Sequence, residues 1–173
     1  MRVKSASGFS LFEFLVVVTS IALLGGVLLE RVRFYQEQAE KAAMEQMVGA
    51  LRSALRLQIA ERLSKGRQGL AELLGQNPMD WMIGKPLNYP GERPSAEPGK
   101  ASGGSWYFDR RDRCLVYVVG NGRHFAPNAV GRKEVRYQVQ PFIGGKPQAA
   151  ENPADKQVID GVALVLLEPY QWF

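Results

Sequence analysis

One carboxylate inside an otherwise apolar run constrains this chain more than any other feature. Residues 9–29 form a run of 21 positions broken only by Glu13, Thr19, Ser20 and the pair Gly25-Gly26. As a helix, that length covers about 31 Å, the thickness of the hydrocarbon core of a bilayer. A charge at the middle of such a helix costs roughly 2.5–3.5 kcal/mol on insertion scales. A membrane anchor that keeps Glu13 has a use for it.

The residues before the run, MRVKSASG, are basic and end in small side chains. An ordinary secretory signal has a shorter apolar core and carries its small-residue cleavage site after that core. Here Ser5-Ala6-Ser7-Gly8 comes first, so a cut there removes the leader and keeps the anchor. Past Glu30 the helical pattern continues. Met44, Met47, Val48, Leu51, Ala54, Leu55, Gln58, Ile59 and Leu63 follow the three-and-four spacing of an amphipathic helix. Glu37, Glu40, Lys41, Glu45, Arg52, Arg56 and Arg62 are assigned to its other face. With no proline before residue 78, one helix is predicted over about 9–63, roughly 80 Å long. Lys65-Gly66 reads as its stop.

The remainder is loop and strand. A short helix is predicted over 69–75, followed by a Pro- and Gly-rich connection over 77–104 that Trp81, Met82 and Ile83 pin to the core. SWYFD and CLVYVV, separated by the polar RRDR, read as a hairpin. In EVRYQVQ, strict alternation puts Val135, Tyr137 and Val139 on one face, and 158–168 supplies a last strand. The expected fold class is α+β: a long N-terminal helix packed on a small antiparallel sheet. The expected organisation is a leader at 1–8, a transmembrane helix at 9–29, its amphipathic continuation at 30–65 and a globular head at 66–173.

Composition narrows the function classes. The chain has 173 residues, a net charge of +5, one Cys and one His. Cys114 has no second cysteine for an intramolecular disulfide and reads as a small buried hydrophobe. His124, in GNGRHF, joins no zinc-like spacing and reads as a turn residue. Asn152, Asp155 and Asp160 offer oxygen atoms, but their spacing fits no calcium loop, so no cofactor is assigned. GNG lacks the strand-to-helix context of a phosphate loop, and one histidine supports no Ser/His/acid set. No enzyme is expected. A pI near 9.5 is compatible with anionic partners, and Arg110, Arg111 and Arg113 are the densest basic cluster, yet many basic proteins bind neither nucleic acid nor lipid. Nucleic acid is therefore not expected as a partner, and DNA capture by that turn stands only as a rival reading.

The residues around the start of the apolar run also carry a family resemblance. Gly8-Phe9-Ser10-Leu11-Phe12-Glu13, between a basic leader and a retained span, resembles the processing site of type IV pilins and type II secretion pseudopilins. The resemblance implies a prepilin peptidase that cuts between Gly8 and Phe9 and methylates the new amine of Phe9. It implies a single-pass inner-membrane protein with its N-terminus cytoplasmic and its head periplasmic. Positive charge alone barely decides that orientation, because Arg2 and Lys4 precede the span and Arg31 and Arg33 follow it. The implied partners are the peptidase, other pilin or pseudopilin subunits and an inner-membrane assembly platform.

In this family the glutamate meets the terminal amine of a neighbouring subunit. Such a pair at 4 Å contributes at most about 4 kcal/mol at an effective dielectric of 20, comparable to the insertion cost. Two alternatives for Glu13 are its own Phe9 amine and a polar defect in the bilayer. The chain departs from the family in lacking the proline that kinks many such anchors near the position of Glu30. Gly25-Gly26 is either a substitute weak point or a place of close helix packing. The cysteine pair of many major pilins is absent, which points to a minor pilin or a pseudopilin. The expected function is a structural filament subunit; the alternative is a single-pass, membrane-anchored periplasmic binding protein.

Overall fold

The computed structural model describes residues 10–64, 67–94, 101–143, 146–147 and 160–173. One helix, α1 (Leu11–Ser64), opens the described chain. The residues group into two compact units, Met1–Gln38 and Ala39–Phe173.

In the first unit, α1 has apolar side chains on every face and none of them is buried. Leu11, Phe12, Ile21, Leu24 and Leu28 are each at least 64% exposed. The most apolar window has a mean hydropathy of 2.3, so this helix is long and apolar enough to cross a membrane. Gly25 and Gly26 lie within the helix, and a Cβ added at either would meet nothing within 4 Å.

In the second unit, the remaining turns of α1 bury a single stripe. Met44, Val48, Leu51 and Leu55 are at most 3% exposed. They join Trp106, Leu115, Tyr117, Val135, Tyr137, Val139, Val162 and Leu164 in one core. The sheet comprises β1 (Glu92–Arg93), β2 (Ser105–Asp109), β3 (Cys114–Val118), β4 (Glu134–Ile143), β5 (Lys146–Pro147) and β6 (Gly161–Leu166). β2, β3 and β4 are antiparallel neighbours, and β6 pairs antiparallel with β4 over residues 137–142. The α+β class follows as the sequence implies. One addition is β1, which runs parallel to β2 and makes the sheet mixed.

Register explains which side chains meet. Trp106 lies opposite Tyr117, their ring centroids 4.8 Å apart. Val135, Tyr137 and Val139 are all buried in the main core, as alternation requires. On the other face Tyr107, Cys114 and Val116 form a second buried cluster, joined by Val118 and Leu167. Two backbones approach closely just before β2, where a Cβ on Gly103 would lie 2.6 Å from the Gly120 Cα. Glycine is needed there because no side chain fits.

Several expectations are corrected. The segment after α1 forms a 3-10 helix, Arg67–Leu73, and a second one, Pro78–Trp81, follows it. Asn77 starts the second by accepting from the Met79 N–H at 3.1 Å, and Pro78 suits a first turn. Buried Pro78 and Met79 therefore pin the connection, with Trp81 and Met82 only partly buried. Ile83 points out, fully exposed. Leu63 is also exposed, because at 3.6 residues per turn it sits about 120° around the helix from Leu51. Arg62, about 20° from Leu51, takes that face instead and is half-buried. Glu37, Glu40 and Lys41 likewise turn out to be buried or half-buried. Lys65-Gly66 and Val158 lie outside the described residues.

Leu51→Ala is expected to lower unfolding stability by about 2–5 kcal/mol, because it opens a cavity at the centre of the stripe. Exposed Leu57→Ala is expected to change it by less than about 0.5 kcal/mol. Denaturant unfolding followed by Trp fluorescence distinguishes the two.

Candidate functional site

The start of α1 is built by two side chains that serve each other. The Ser10 N–H donates to Glu13 Oε2 at 3.0 Å, and the Glu13 N–H donates to Ser10 Oγ at 3.3 Å. This is a capping box, in which the first residue and the residue three positions on satisfy each other's orphan backbone donors. The S-x-x-E signature of this box stands in the sequence at Ser10 and Glu13, where the same side chain also offers itself to an intermolecular partner. A cap of this type contributes about 1 kcal/mol, less than a carboxylate costs at the centre of a bilayer, and Glu13 stands in the first turn of α1. Among the described residues, Glu13 Oε1 has no hydrogen-bond partner.

The other polar groups of the segment close on their own backbone. Thr19 Oγ1 donates to the Leu15 carbonyl and Ser20 Oγ to the Val16 carbonyl, each at 2.8 Å. Helix hydroxyls in an apolar medium are satisfied in this way. Among the described residues of this segment, Glu13 is the group with capacity to spare. Gly8 and Phe9 lie outside the described residues, and Gly25 and Gly26 stand well along α1 from Glu13.

The head holds a second carboxylate in the opposite condition. Glu40 Oε1 accepts from Tyr117 Oη at 2.9 Å and from the Gly120 N–H at 2.6 Å, and Oε2 accepts from the Asn121 N–H at 2.6 Å. Burial, and then the Glu40 carboxylate, hold the Tyr117 hydroxyl well above its ordinary pKa, so it stays a donor. Lys41 Nζ donates to the Trp172 carbonyl at 3.3 Å. These contacts fasten α1 to the turn after β3 and to the segment after β6. Nothing in the sequence pattern marks Glu40 except its phase on the helix.

The basic turn is interleaved with acids. Arg110 lies 3.6 Å from Glu92, and Arg136 Nη2 donates to Asp112 at 2.6 Å. Asp109 is buried and accepts from the Arg111 and Asp112 N–H groups, closing the hairpin. Arg113 takes a positive φ of 49°. Open clefts of about 280 and 320 Å³ are lined by Arg side chains mixed with Asp and Glu, and a third of about 160 Å³ adds Phe125, Pro127, Pro169 and Tyr170 to Glu134 and Arg136. Among the described residues no three His, Cys, Asp or Glu side chains come together to hold a metal ion. Asp160, just before β6, donates its N–H to the Phe142 carbonyl, while Asn152 and Asp155 lie outside the described residues. His124 is exposed and its ring centroid lies 5.5 Å from that of Phe173.

Fold and site together define an α+β chain with one helix able to span a bilayer. No family model, curated protein or solved structure matches it.

Two outcomes follow from the head's geometry. Glu40→Ala leaves three donors without their acceptor and is expected to destabilise the head by about 1–3 kcal/mol. Tyr117→Phe, which removes one donor only, is expected to cost less, and parallel urea titrations compare them. Burial raises the Cys114 thiol from 9.0 to about 11. Its folded pKa thus exceeds its unfolded one, so the stability it confers is whole below pH 9.0 and is lost as pH rises through about 11. At pH 8 the folded chain is expected to resist an aqueous thiol reagent that modifies the urea-unfolded chain at once.

Proposed function

We propose that this chain is a structural subunit of a type IV pilus or of a type II secretion filament, a minor pilin or a pseudopilin. In this reading the segment 9–29 holds it in the inner membrane, with the N-terminus in the cytoplasm and the head in the periplasm. Prepilin peptidase cuts between Gly8 and Phe9 and methylates the Phe9 amine. On an assembly platform, the helix then passes from lipid into a bundle of like helices. The observation that carries this reading is Glu13, a carboxylate with one oxygen unspent among the described residues, in a segment apolar on every other face.

The chemistry is a trade of partners. A single subunit leaves Glu13 with the modest compensation of Ser10. A neighbour's terminal ammonium supplies a charge-assisted bond in low dielectric, where such bonds are roughly twice as strong as neutral ones. Pairing therefore favours the filament and fixes the stagger between helices. No enzymatic activity and no cofactor enter this reading.

N-terminal mass spectrometry of the membrane-extracted chain is expected to find N-methylated Phe9 in cells with active peptidase; an intact Met1 there favours a membrane-anchored binding protein instead. Glu13→Gln separates the two tasks of the carboxylate, because glutamine also serves at the third position of a capping box. It is expected to preserve insertion and stop incorporation into filaments. Incorporation at the wild-type level would refute the charge pairing.

A further inference from the structure

The turn after β3 carries the only Asn-Gly pair in the sequence, Asn121-Gly122. Asn121 is exposed and stands outside every strand. Glycine has no Cβ to shield its backbone nitrogen, so that nitrogen reaches the preceding side-chain amide more readily than in any other pair. We propose that Asn121-Gly122 is a self-modifying site, which converts without an enzyme and loosens the hold of Glu40 on this turn.

The step balances with water alone. The Gly122 nitrogen attacks the side-chain carbonyl carbon of Asn121, and a new C–N bond closes a five-membered imide. The bond to the side-chain nitrogen breaks, that nitrogen takes up the Gly122 amide proton, and ammonia leaves. Water then opens the ring at one carbonyl or the other. One opening yields aspartate; the other yields isoaspartate, whose main chain is longer by one methylene.

Both products meet an environment built for the original. The Asn121 N–H lies 2.6 Å from Glu40 Oε2, so the new carboxylate arises beside an existing one. Like charges on a residue and on the group that holds its backbone disfavour each other. Isoaspartate inserts its extra carbon just before Gly122, which is buried and has no slack. A Cβ on Gly122 would lie 2.7 Å from Val119 Cγ1 and 3.2 Å from Phe125 Cβ. The Gly122 carbonyl is also held by Lys133 Nζ. The lengthened backbone must therefore displace Val119 and Phe125 or pull Gly120 and Asn121 away from Glu40. This inference does not depend on the filament reading.

The test uses the full wild-type chain in detergent micelles, incubated at neutral and mildly alkaline pH. Peptide mapping is expected to show the amide-to-acid mass gain at Asn121 several-fold faster than at Asn77, Asn88 or Asn128, with isoaspartate detected by an isoaspartyl methyltransferase. Hydrogen exchange in the peptide covering Gly120 and Asn121 is expected to rise several-fold in the converted fraction. An Asn121 that stays intact in the folded chain, while the urea-unfolded chain converts, would overturn the proposal. So would conversion with unchanged exchange, or an equal rise in an Asn121→Gln chain incubated alongside.

Discussion

The width of the apolar surface along α1 sets the terms for everything else in the molecule. Between residues 11 and 29 that surface wraps the helix, and its side chains are exposed all round. Between residues 44 and 55 it narrows to one stripe that a sheet can cover. The hydrogen bonds of the helix are internal throughout, so the backbone makes no demand on its surroundings in either region. The side chains alone decide the solvent. A helix apolar on all faces needs lipid or other helices, whereas a one-sided helix needs a protein core.

Two carboxylates on this helix show how the surroundings convert a charge into structure or reserve. Glu40 accepts from three donors and spends both oxygens. It is a fastening, and its loss falls on stability. Glu13 accepts from one backbone N–H at 3.0 Å and, among the described residues, leaves an oxygen over. Desolvated, fully used carboxylates stabilise a fold, while partly used ones are costly and wait for a donor. The difference lies in the count of donors within reach.

Periodicity made most of the fold readable. The strands around Trp106, Leu115 and Val135 announce themselves by branched and aromatic residues, and the stripe through Leu51 by its spacing. Elements held by very few bonds were not readable. The two-residue β1 owes its place to β2, and both 3-10 helices follow from local caps and packing. The inward-facing charges Glu37, Glu40 and Arg62 also escaped, because a charge suggests the solvent side even where helix phase says otherwise. At the site, the acid in the apolar run was legible from composition. Its capping role was legible too, in the residue three positions before it, but it competes with the longer-range reading for the same side chain.

The pairing of β4 with β6 carries a consequence in time. β4 gains its β3 neighbour from residues that precede it and the two-residue β5 from just after it, yet its partner over residues 137–142 comes only from residues 161–166. During stepwise delivery of the polypeptide, β4 waits with one flank bare until those residues emerge. Bare strand flanks recruit other chains, and distant pairings close slowly. The interval between the arrival of Ile143 and that of Leu166 is thus when the nascent head is most open to the wrong neighbour.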